Sequence, residues 1–147
     1  MQSDVLPAGG TRSTHIADSP LVLVANVPQD TPGSVITNAL YPVTRARVFT
    51  ILRIRLEFST IAAPNTRALL PEGVSVRVVV TRNLAPTTLG HTFGPFPVPT
   101  LSPLIDTETG SEAFADADLL SVQVILTNTN DAPLPPGLIV AVIATLE

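Results

Sequence analysis

Residues 43–59, VTRARVFTILRIRLEFS, alternate between two kinds of side chain, and no other feature constrains the fold as tightly. Ala46, Val48, Thr50, Leu52, Ile54, Leu56 and Phe58 fall on one face of an extended strand, and Arg45, Arg47, Phe49, Ile51, Arg53, Arg55 and Glu57 fall on the other. Successive side chains of a strand point to opposite faces. The segment therefore reads as one long strand, or as two strands joined by a bend near Phe49–Thr50, with one side on a core. A helix would scatter the arginines around its circumference.

The same alternation recurs along the chain. Residues 74–82 put Val74, Val76, Val78 and Val80 on one face and turn Arg77 away from it. Residues 119–127 put Leu120, Val122, Val124 and Leu126 inward, with Ser121, Gln123 and Thr127 outward. Residues 138–146, LIVAVIATL, are apolar on both faces, which predicts a central strand or a subunit contact. Residues 21–27 read as a further strand, and 34–40 and 87–93 as shorter ones. Turn signals separate them: Pro28–Gly33, Pro64–Asn65, Pro71–Gly73 and Asn128–Gly137. Residues 93–105 carry four prolines, which removes ladder donors and predicts an extended, polyproline-like crossing of the surface outside any sheet. Residues 111–118, SEAFADAD, offer the one helical turn, capped by Ser111. The expectation is an all-β chain, an antiparallel sandwich or jelly roll of about seven to eight strands. Its single domain would span residues 21–147, with residues 1–20 as an extended N-terminal arm.

Composition fits one buried core. The chain has 147 residues, of which 45% are hydrophobic and only 14% charged, the opposite of a disordered profile. There is no cysteine, so disulfide frameworks, thiolate nucleophiles and cysteine-held metals are excluded. The leader MQSDVLPAGGTRSTHIADSP has neither a basic nor an apolar signal region, and nowhere do 18 apolar residues run together. A product made in the cytoplasm without a signal peptide, with no membrane partner, is the expectation.

Charge is segregated. Residues 1–44 carry a net −2, residues 45–105 a net +5, and residues 106–147 a net −7, for −4 overall. All eight basic residues are arginine, and Arg45, Arg47, Arg53 and Arg55 share strand parity. Like charges on one face need partners, and three kinds are open. The acidic residues of 106–118 would pair with them within the chain. The acidic loop of a neighbouring copy would pair with them between subunits, setting register. Or an outside anion would occupy them, such as a glycan, a lipopolysaccharide or a nucleic acid. Nucleic acid is the weakest of these, because one tyrosine and no tryptophan leave little for bases to stack on.

Chemistry-bearing motifs are few. Neither His15 nor His91 stands at ligand spacing from other donors. Asp116 and Asp118 with Glu112 or Asp106 offer oxygen ligands for calcium, but not at EF-hand spacing. No nucleophile elbow, P-loop or dinucleotide fingerprint occurs. The expectation is a protein that is not an enzyme and carries no cofactor and no catalytic or metal-binding residue.

The small cysteine-free β-rich chain, the leader MQSDVLPAGG and the proline-laden crossings resemble viral structural β-proteins of the capsid decoration, cement or fibre type. Residues 115–124, ADADLLSVQV, and 133–146, PLPPGLIVAVIATL, are similar to late strands of trimeric TNF/C1q-like jelly rolls. The sequence departs from that second pattern where Ala117, rather than glycine, precedes Asp118. Either resemblance implies a non-enzymatic building block, a homotrimer or a lattice component on the virion surface that clamps a major capsid protein lattice. On that reading the contacts are Val5 and Leu6 in the leader, Arg45, Arg47, Arg53 and Arg55 on the basic strand, and Phe93, Phe96, Leu101 and Leu104 in the proline segment. The alternative is a trimeric jelly-roll recognition module that binds a glycan or host receptor.

Overall fold

The computed structural model describes residues 21–28, 33–36 and 40–147. The expected arm, with Val5, Leu6 and His15, lies outside the described residues. Within them the chain forms β1 (Leu21–Pro28), β2 (Gly33–Ile36), β3 (Tyr41–Pro42), β4 (Arg47–Thr60), β5 (Leu69–Leu70), β6 (Val74–Arg82), β7 (Ala85–Phe93), β8 (Thr100–Leu101), β9 (Leu104–Phe114), β10 (Leu119–Asn128) and β11 (Leu138–Leu146). The first sheet runs β1-β11-β4-β9 and the second β2-β10-β6-β7, with β3 also on β10. A small third sheet pairs β5 with β8. Every pairing is antiparallel.

The two large sheets share one core. Leu52, Ile54, Leu56 and Phe58 of β4 and Val140, Val142, Ala144 and Leu146 of β11 meet Val76, Val78 and Val80 of β6 and Leu120, Val122, Val124 and Leu126 of β10. These are the inward positions that alternation assigns, and β-branched side chains suit a pleated surface. The result is an all-β, sandwich-like fold. β11 lies between β1 and β4; one of its apolar faces, with Val140, Val142 and Ala144, is buried, while the other leaves Ile143 40% exposed. Among the described residues no helix is long and apolar enough to cross a membrane.

The long basic strand departs from simple alternation. The amides of Thr50 and Ile51 both donate to the carbonyl of Glu147, at 2.7 and 3.0 Å, and the β4–β9 register slips between Phe49 and Ile51. Two residues facing one partner make a β-bulge, and a bulge inverts which parity points inward. Phe49, assigned outward by sequence, is 0% exposed, whereas Val48, assigned inward, is 53% exposed. The Phe49 ring packs edge-on to Phe114, with centroids 5.5 Å apart. The Arg47 guanidinium lies 4.4 Å over Phe49. Arg47 therefore shares parity with a core residue, while Arg53 and Arg55 lie on the outer face. The four arginines do not form one face.

Three further expectations change. The described residues hold eleven strands rather than seven to eight, because three two-residue strands and β9 were not anticipated. The helical turn at 111–118 is absent: Ser111 lies within β9, which runs to Phe114, and a tight turn follows. In that turn the Asp118 carboxylate accepts the Ala115 amide at 2.8 Å, and Ala117 takes a left-handed φ of 69°. The proline segment is not a surface crossing throughout. Phe93 and Phe96 are buried in the core, Phe96 exchanges backbone hydrogen bonds with Gly73 and Val74, and Thr100–Leu101 joins the small sheet.

Candidate functional site

Polar chemistry concentrates where the edge strands β7 and β9 of the two sheets meet. β7 ends one large sheet and β9 ends the other, and the inward positions of these two edge strands face each other. On β7 they are the buried Leu89, and His91 and Phe93 opposite the core residues Val78 and Val76 of β6. On β9 they include Asp106, Glu108, Glu112 and Phe114, since Asp106 pairs with Ile54 and Glu108 with Leu52, both core residues. A row of acids is thus turned toward the interior along the β7–β9 seam.

Near the middle of this seam His91 stands between two carboxylates. Its Nε2 is 2.8 Å from Asp106 Oδ2, and its Nδ1 is 2.6 Å from Glu108 Oε2. The Phe93 ring meets the imidazole edge-on with centroids 4.5 Å apart, which fixes the plane of the ring. The Thr107 amide donates to Asp106 Oδ1 at 2.6 Å, leaving Oδ2 for the histidine. One donor atom from each of the three residues lies within 4.8 Å of the others. All three side chains are partly exposed, so solutes can reach them.

Further along the seam Glu112 is buried and fully engaged. It accepts from the Thr88 amide at 2.9 Å and from the Thr88 hydroxyl, and it pairs with Arg82 at 3.3 Å. Arg82 also donates to the Ala113 carbonyl at 2.7 Å. The Thr88 hydroxyl and amide, and then Arg82, hold the Glu112 carboxyl below its ordinary value although burial pushes the other way. The Ala115 amide, followed by the Asn83 side chain, lowers Asp118 in the same manner. The acids considered for calcium are therefore not gathered. Asp106 meets His91, Glu112 meets Thr88, and Asp118 closes its own turn.

A second surface lies on the outer face of the first sheet. One cross-strand row holds Val22, Thr145, Arg53 and Thr107, and the next holds Ile143, Arg55 and Ile105. Val22, Ile143 and Ile105 are exposed, Ile105 at 65%. Arg53 pairs with Glu147, and Arg55 with Glu57 at 3.1 Å. Pairing within the chain holds for both, but with other acids than those of 106–118. Beside this face the 61–68 loop walls a groove of about 480 Å³ over Ile139 and Ala141, with Glu57, Ser59, Asn65, Thr66 and Arg67 at its sides. Of the remaining expected contacts, Arg45 and Leu101 are exposed, and Leu104 packs against the core.

No family model and no curated protein matches this chain.

Proposed function

We propose that the chain is a jelly-roll building block of a virion surface, a decoration protein that stabilises a capsid by clamping its subunits. The strand order carries this reading. Setting aside the three two-residue strands, eight strands remain among the described residues, paired first-eighth-third-sixth in one sheet and second-seventh-fourth-fifth in the other. That order supports a double Greek key, the jelly roll used by viral capsid domains and by lectins. Fold alone does not assign function, and the outer face of the first sheet adds the second support. Aliphatic side chains there alternate with Arg53 and Arg55, the mixture suited to a protein interface. The leader would act as an arm, copies would associate as a trimer, and the chemistry would be non-covalent throughout, with no cofactor.

The test combines light-scattering mass with co-sedimentation on shells of a major capsid protein. A trimer that pellets with shells is the expected result, and R53Q/R55Q weakens both behaviours. A monomer that stays in the supernatant would overturn the proposal. The groove beside the 61–68 loop favours a second reading, in which the jelly roll binds a glycan between Arg67, Asn65, Thr66 and Glu57. Saturable binding on a glycan array, lost in Arg67→Ala, with no particle association, would select that reading.

A further inference from the structure

We propose that His91 and Asp106, with Glu108 holding the other nitrogen of the imidazole, bind one first-row divalent cation of the zinc type, which ties the two sheets together at the β7–β9 seam. This inference is independent of the virion reading.

The first argument is geometric. Zinc holds nitrogen and oxygen ligands at about 2.0–2.2 Å in a tetrahedral shell, so two ligand atoms on one ion stand roughly 3.4 Å apart. His91 Nε2 and Asp106 Oδ2 are 2.8 Å apart, and a side-chain shift of about half an ångström opens the pair to that separation. An imidazole ligates through one nitrogen and characteristically gives its other N–H to a carboxylate, which fixes tautomer and orientation. Glu108, at 2.6 Å from Nδ1, occupies that supporting position. Asp106 is itself oriented, by the Thr107 amide, and the Phe93 edge holds the ring.

The second argument is electrostatic. Two carboxylates bracket one imidazole, so even with both ring nitrogens donating the cluster keeps a net negative charge. Among the described residues no arginine pairs with Asp106 or Glu108, since the seam's guanidinium, Arg82, is committed to Glu112. A divalent cation between Nε2 and Asp106 would neutralise that charge and be bonded from both sides. Imidazole with carboxylate suits zinc better than calcium or magnesium, which favour all-oxygen shells. Water completes the coordination at this partly exposed site. The ion would join β7 to β9, which share no ladder among the described pairings.

The test uses the full chain stripped with chelator, titrated calorimetrically with zinc chloride and, in parallel, calcium chloride. The expected result is one equivalent of zinc, with little response to calcium. At a free zinc concentration a hundredfold above Kd, the unfolding midpoint rises by about 5–10 °C. Long-range proton–nitrogen NMR of the unmodified chain should show the His91 Nε2 resonance shifted while Nδ1 keeps its proton, a readout that needs no variant to fold. His91→Gln and Asp106→Asn each weaken uptake by at least about tenfold, and Glu108→Gln by about 10–100-fold. His15→Ala leaves it unchanged. No saturable uptake, uptake that survives Asp106→Asn, or equal affinity for calcium would each overturn the site and leave an ion-paired histidine.

Discussion

Truncating two neighbours, Phe49 and Val48, tests the bulge in β4 directly, because alternation and structure assign them opposite roles. Phe49 is fully buried, and Phe→Ala in a core costs about 3–5 kcal/mol from lost transfer energy and the cavity left behind. Its edge-on contact with Phe114 adds about 0.5–1.5 kcal/mol beyond burial, which places the loss toward the upper end. Val48 keeps roughly half its surface in water, so Val48→Ala should stay within about 0.5 kcal/mol. Urea unfolding followed by far-ultraviolet circular dichroism is the assay, since the chain has no tryptophan. Equal slopes with a large midpoint shift for Phe49→Ala alone are expected. A larger loss for Val48→Ala would mean an unbulged strand with the arginines on one face, and the register argument would fail.

Acid should weaken the fold through Glu112, whose carboxyl sits below its ordinary 4.5 when folded. The unfolded chain takes up that proton first, so the stabilisation is present above pH 4.5 and drains as pH falls through the lower folded value; Glu112→Gln should flatten this limb in urea titrations run at stepped pH. Leu84 is exposed and holds φ at 71° beside Asn83 at 52° in the β6–β7 turn, a conformation that favours Asn-Gly. Leu84→Gly should therefore stabilise by about 0.5–1 kcal/mol, read as a higher thermal midpoint. Gly94 has φ at 96°, and a Cβ there would lie 2.6 Å from the Val74 carbonyl. Gly94→Ala should cost about 1–3 kcal/mol, measured by the same denaturation, and a neutral result would contradict the close approach.

β6 and β11 begin and end where their patterns do: β6 through alternating valines, and β11 through a β-branched run bounded by the turn residues of 128–137. β4 was legible as a long strand, but it starts at Arg47 rather than 43, and its phase was hidden, since Val48 and Phe49 are both apolar and only hydrogen bonding from Thr50 and Ile51 shows which turns inward. β9 was hidden for a different reason. Its inward positions Asp106, Glu108 and Glu112 are acids, which inverts the pattern that marks a core strand, while its threonines at 107 and 109 were the overlooked β signal. With β9 read as a loop, Asp106 and Glu108 could not be aligned on one face, and the three-residue cluster with His91 stayed invisible.

The acids turned inward along β9 have a consequence for behaviour at high concentration. A strand at the margin of a sheet offers unpaired amides and carbonyls on which a stray chain can template. A newcomer laid against β9 would have to sink its own side chains beside Asp106 and Glu108, and desolvating those carboxylates opposes fibrillar growth. Stacking of further chains on the β9 edge is thereby disfavoured.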